Sequence, residues 1–103
     1  LADRGCDFAD ISSGGNAAAE ISSGPGFQVP FAAAVKEASG MATMAVGDLG
    51  DPELAEDILR RGDADAIAIG REFLRDPRWP WRAAKQLGGL IDYVPQYAWC
   101  VGD

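Results

Sequence analysis

Three short apolar runs, each ending in a turn and each followed by a helical pattern, constrain this chain more than any other feature. They are DFADISS (residues 7–13), MATMAVG (41–47) and ADAIAIG (64–70). Short apolar runs closed by Gly or Ser fit strands covered on both faces, as in parallel sheets. The segments between them carry helix signals. Pro30 suits a first helical turn, Phe31, Ala34, Val35 and Ala38 share one face, and Gly40 closes the segment. Asp51 is an N-cap with Pro52 behind it, and Leu54, Ala55, Ile58 and Leu59 form the stripe expected to be buried. Arg60 and Arg61 lie where the helix dipole favours cations, before Gly62. After the third run a short helix is expected from Arg71 to about Leu74, and another from Arg82 to Leu87. The tail IDYVPQYAWCVGD has no clear period and reads as coil, with Trp79 and Trp81 packing the last helix onto the body. Residues 14–29 read as a long loop.

The resulting order is β-α-β-α-β-α. Crossovers of this kind make parallel strands with right-handed connections. Two architectures use them, the open doubly wound sheet and the (β/α)₈ barrel. A complete barrel takes roughly 250 residues, and 103 residues hold three of its eight units. The opening LADRGCDF reads as the tail of a helix running into a strand, with no initiator Met, so the chain is expected to be a piece of something longer.

Charge and composition narrow the chemistry. Nine Lys and Arg stand against sixteen Asp and Glu, a net charge of −7, which disfavours nucleic acid and anionic membrane as general partners. No run is long and apolar enough to span a membrane, and no stretch reads as a signal peptide. Two cysteines at opposite ends, Cys6 and Cys100, form no C-x-x-C and are expected to be reduced thiols of a cytoplasmic protein. With no His, a zinc site and a Ser-His-Asp triad are not expected.

The strand ends carry the candidate chemistry. Strand two ends in Gly47-Asp48 and strand three in Gly70-Arg71. Glycine lets a backbone N–H approach an anion with no Cβ in the way. A helix N-terminus adds partial positive charge, and a guanidinium forks onto phosphate oxygens. Gly-Arg is therefore a candidate phosphate clamp. The alternative is a tight βα turn with Arg71 paired to Glu72 or Asp76. Ser12-Ser13-Gly14-Gly15 either lines a pocket through Ser13 or is a simple turn, and Asp10 reads as a buried structural carboxylate.

DFADISSGG, PGFQVPFAAAVKEASG and GREFLRDPRWPWRAAKQLG together resemble the C-terminal part of the Old Yellow Enzyme family, in its bacterial NADPH-dependent ene-reductase branch. The likeness runs from about Leu1 to about Tyr97. It implies strands six to eight of a TIM barrel over residues 1–92, with 93–103 as a tail. It implies FMN as cofactor, NADPH or NADH as reductant, and an activated alkene as substrate, with a homo-oligomer left open. Gly47 and the Gly70-Arg71 pair would hold the FMN phosphate, with Ala45, Val46, Ala68, Asp48 and Ser13 close by. The family's substrate-holding His pair and Tyr donor lie on earlier strands, so no catalytic residue is expected here. Tyr93 and Tyr97 do not match the donor, and the tail has no Arg after Arg82. Two other readings stay open. A dihydrouridine-synthase-like FMN barrel would need a basic surface for tRNA. A non-catalytic βα remnant would show no flavin spectrum.

Overall fold

The computed structural model describes residues 1–18, 20 and 23–101, so part of the expected long loop (19, 21 and 22) lies outside the described residues. The described residues form two compact units, one ending at Gly70 and the other beginning at Arg71.

The first unit is a three-stranded parallel sheet in the order β1-β2-β3, with β1 at Phe8–Ile11, β2 at Ala42–Val46 and β3 at Ala66–Ala68. All three apolar runs therefore became strands, and they pair without a break in sequence order. The register sets Ile11 beside Ala45 and Ala45 beside Ile67. These three residues meet helix α1 (Val29–Ser39) and helix α2 (Pro52–Arg61) in one core with Val29, Ala32, Leu49, Ile58 and Ala64. Alternate residues of a strand face opposite sides. The other face therefore presents Phe8, 44 % exposed, and the row Asp10, Met44 and Ala66. Asp10 is exposed, which corrects the expectation of a buried carboxylate: it lies on an edge strand, on the face that neither helix covers.

α2 follows its signals. The Asp51 carboxylate accepts the Glu53 N–H at 3.1 Å, and Arg60–Glu56 and Arg61–Asp57 pair one turn apart at 2.7 and 2.6 Å. Ala55 and Ile58 are buried, whereas Leu59 is 37 % exposed and stands outside the stripe. α1 departs further. It buries Val29 and Ala32, while Phe31, Ala34 and Ala38 face out. Val29, Phe31, Ala32, Ala33, Ala34 and Val35 make the helix apolar around most of its circumference, so periodicity alone does not select the buried face.

The N-terminal end of β2 is locked from the side. The Asp65 N–H donates to the Thr43 carbonyl at 2.8 Å, and the Asp65 carboxylate takes the Thr43 N–H and the Lys36 ammonium, each at 2.9 Å. The Lys36 hydrogen bond first, and the Thr43 N–H second, hold the Asp65 carboxyl below its ordinary value of 3.8. Thr43 itself is wholly buried, and its hydroxyl has no hydrogen-bond partner among the described residues.

The second unit holds helix α3 (Arg71–Arg75), helix α4 (Trp79–Gln86) and helix α5 (Ala98–Val101). α4 starts three residues before the expected Arg82, because Pro80 takes its first turn instead of preceding it. The tail, expected as coil, makes a 3₁₀ turn at Pro95–Tyr97 that leads into α5. Trp79 meets Phe73 at 5.9 Å between ring centroids, and Trp81 meets Tyr97 at 5.7 Å and Tyr93 at 6.3 Å. The Arg78 guanidinium stands over both Trp81 and Tyr97, at 5.1 and 5.0 Å. Arg82 joins Glu72 and Asp76 at 3.2 and 2.9 Å. No helix of the described residues is long and apolar enough to cross a membrane.

Candidate phosphate-binding strand ends

β2 and β3 end side by side, with Val46 paired to Ala68. Both residues are half-buried. Gly47 follows the first and is buried, with φ at 120°, and Asp48 continues at φ 52° as an exposed residue in the left-handed region. A non-glycine residue at positive φ is uncommon and clusters at ligand sites. Gly70 follows the other strand and is exposed, and a Cβ built on it would meet nothing within 4 Å. The two glycines thus differ in kind. Gly70 is glycine beside open space. Gly47 is glycine because a Cβ there would stand 2.7 Å from the Phe27 ring and 3.2 Å from Gln28 Nε2.

Gln28 is 6 % exposed and sits at the N-cap position of α1, yet its side chain caps nothing. It reaches across the strand ends instead. Its Oε1 accepts the Ser13 N–H and, at 3.0 Å, the Ser13 hydroxyl, and its Nε2 donates to the Val46 carbonyl at 3.5 Å. The Gly26 N–H donates to the Gly47 carbonyl at 3.0 Å. One loop, residues 24–28, therefore joins the residues after β1 to the end of β2.

Of the residues singled out in the sequence, Ser13, Val46, Gly47, Asp48, Ala68 and Gly70 lie in the first unit at or just past strand ends. Ala45 is fully buried in the helix-facing core. Arg71 opens the second unit as the next residue after Gly70. It is exposed and has no ion-pair partner among the described residues; Glu72 and Asp76 bond Arg75 and Arg82 instead. Sequence reasoning used the PGFQVPF loop as a signature and missed the work of Gln28 in it. The available signal was a polar amide between Phe27 and Val29, since a buried amide needs partners.

Residues 6–89 match the NADH:flavin oxidoreductase / NADH oxidase family. The chain is similar to several curated NADPH dehydrogenases. It is 48 % identical over 101 residues to that of Bacillus pumilus, covering 96 % of this chain and 30 % of the relative. It is 47 % identical over 97 residues to that of Bacillus subtilis, covering 94 % and 29 %. For Geobacillus thermodenitrificans the identity is 43 % over 97 residues, covering 94 % and 28 %. The chain thus spans less than a third of the length of these relatives.

Proposed function

The chain belongs to the NADH:flavin oxidoreductase / NADH oxidase family, and we propose that it supplies the end of a TIM barrel that grips the phosphate of FMN. That family uses FMN with NADH or NADPH as reductant. The observation that carries the proposal is the pair of glycines at the ends of adjacent parallel strands, Gly47 held at φ 120° and Gly70 beside open space. A phosphate oxygen can approach Gly70 without meeting a side chain. Arg71, next in the chain and without an ion-pair partner among the described residues, supplies the forked charge that a phosphate dianion favours. Phosphate sites near the last two strands recur in barrels.

On this reading the strands are the sixth, seventh and eighth of the barrel, residues 1–92 are its phosphate-binding end, and 93–103 are a tail. Consecutive strand order with both crossover helices on one face, as here, is the pattern a barrel repeats around its circumference. The uncovered face, with Asp10 and Met44, then looks into the barrel. Bound FMN would supply the hydride acceptor and donor between NADPH or NADH and an activated alkene. The residues of this chain bind and orient; those that hold the alkene and move its proton belong to the earlier strands.

The test is a hybrid in which this chain replaces the matching residues of the full-length Bacillus subtilis relative. FMN and riboflavin are titrated into it and followed by flavin fluorescence. FMN is expected to bind on the order of tenfold or more tightly than riboflavin, through charge-assisted bonds to its phosphate. A hybrid that binds the two equally, or binds neither, overturns the proposal.

A further inference from the structure

We infer that the loop at residues 24–28 is a positioning device for the anion-binding peptides, with Gln28 at its centre; the inference rests on the phosphate reading above. A trans peptide points its C=O and its N–H in opposite directions. Gln28 Nε2 holds the Val46 carbonyl, so it fixes the plane that carries the Gly47 N–H. The Gly26 N–H holds the Gly47 carbonyl, so it fixes the plane that carries the Asp48 N–H. Both N–H groups are thereby turned away from the loop. The backbone at these residues, φ 120° and 52°, is one that L side chains rarely adopt, and such a conformation persists only where its surroundings enforce it.

The loop supplies that enforcement. The Phe27 ring fills the space that a Cβ of Gly47 would take. The Gln28 amide is anchored at its other end by the Ser13 N–H and hydroxyl. An amide also suits the task because it is neutral: it aims donors at an anion without repelling the anion. An apolar residue of similar size would fill the same space and leave the Val46–Gly47 peptide unheld, with the Gly26 N–H still on the next one. Gln28 is thus a positioning residue that acts through Gly47, without a requirement to touch the ligand.

The experiment uses the hybrid barrel and reads the ratio of the riboflavin to the FMN dissociation constant, well below the melting temperature. That ratio isolates the phosphate. Gln28→Leu is expected to lower it about tenfold, the loss of one well-aimed charge-assisted bond. Ile58→Val, a core change away from the strand ends, is expected to leave it unchanged. If Gln28→Leu does not fold, Gln28→Glu replaces it. It keeps an acceptor for Ser13, loses the donor to Val46, and is expected to lower the ratio at least as much. An unchanged ratio in the Gln28 variant that folds overturns the inference, and so does an equal fall in Ile58→Val. The failure of the phosphate reading looks different: the unsubstituted hybrid would show a ratio near one, and Arg71→Ala would not move it.

Discussion

The two glycines at the strand ends make a paired prediction, because the same substitution is expected to act on the fold at one and on the ligand at the other. At Gly47 an added Cβ would stand 2.7 Å from Phe27 Cε1, 3.0 Å from Cδ1 and 3.2 Å from Gln28 Nε2. The closest approach is roughly 1 Å inside the contact optimum for carbon atoms, so the ring must leave its position. Overpacking of this kind costs about 1–3 kcal/mol. Holding alanine at φ 120° adds about 1 kcal/mol more, since the native conformation does not suit it. Gly47→Ala should therefore destabilise the hybrid barrel by roughly 2–4 kcal/mol. At Gly70 a Cβ meets nothing, and φ lies outside the left-handed region. Gly70→Ala should leave stability within about 1 kcal/mol, on the stabilising side if anything. It should nonetheless weaken FMN about tenfold, by placing a methyl group where the proposed site would receive a phosphate oxygen. Urea midpoints followed by far-UV circular dichroism give the first comparison, and FMN titration gives the second. If Gly47→Ala unfolds no earlier than Gly70→Ala, the account of the Phe27 contact is wrong.

Other expectations follow from single features of the structure. Arg71→Ala should weaken FMN roughly ten- to hundredfold and riboflavin hardly at all, with Arg71→Lys recovering only part; equal losses for both ligands would remove Arg71 from the phosphate. Asp65 has its folded pKa below its unfolded one, so its contribution is present above pH 3.8 and is lost as pH falls through the lowered value. The stability advantage of the native chain over Asp65→Asn should therefore be flat from neutral pH to about 5 and shrink below about 4, as acid unfolding curves can show. Thr43→Val removes a buried hydroxyl that has no partner among the described residues and should raise stability by about 1 kcal/mol in urea unfolding. The 103-residue chain alone leaves β1 and β3 as open edges, so its melt should be broad and concentration-dependent; a sharp monomeric transition would refute that.

Legibility in the sequence followed how many residues share a signal. Strands were readable because each apolar run is bounded on both sides by turn residues, and the ends of α2 because Asp51, Pro52 and Gly62 each act locally. The buried face of α1 was not, because alanine on several sides gives the helix no preferred face; the choice is made by Val29 and Ala32 meeting Ala45 and Ile58 across long sequence separations. At the candidate site Gly47, Gly70 and Arg71 were legible as residue types at strand ends. Gln28 was not, because its partners Ser13 and Val46 lie fifteen residues before it and eighteen after. A hydrogen bond closed by the fold leaves no period in the sequence.

The two ends of β2 show how this short sheet divides its work. At the N-terminal end the strand is held by charge: Asp65, itself paired with Lys36, holds both the N–H and the carbonyl of Thr43. At the C-terminal end it is held by a neutral side-chain amide and a loop N–H, from Gln28 and Gly26. The difference has a physical consequence. On the phosphate reading proposed above, a carboxylate in the place of Gln28 would repel the ligand, whereas a neutral amide holds the Val46–Gly47 peptide without doing so. On that reading, an ion pair holds the end of the strand away from the anion, and a dipole holds the end that the anion would approach. Barrels in general keep stability at the N-terminal face and chemistry at the C-terminal face. On the proposed reading, that division would run along the five residues of one strand, Ala42–Val46.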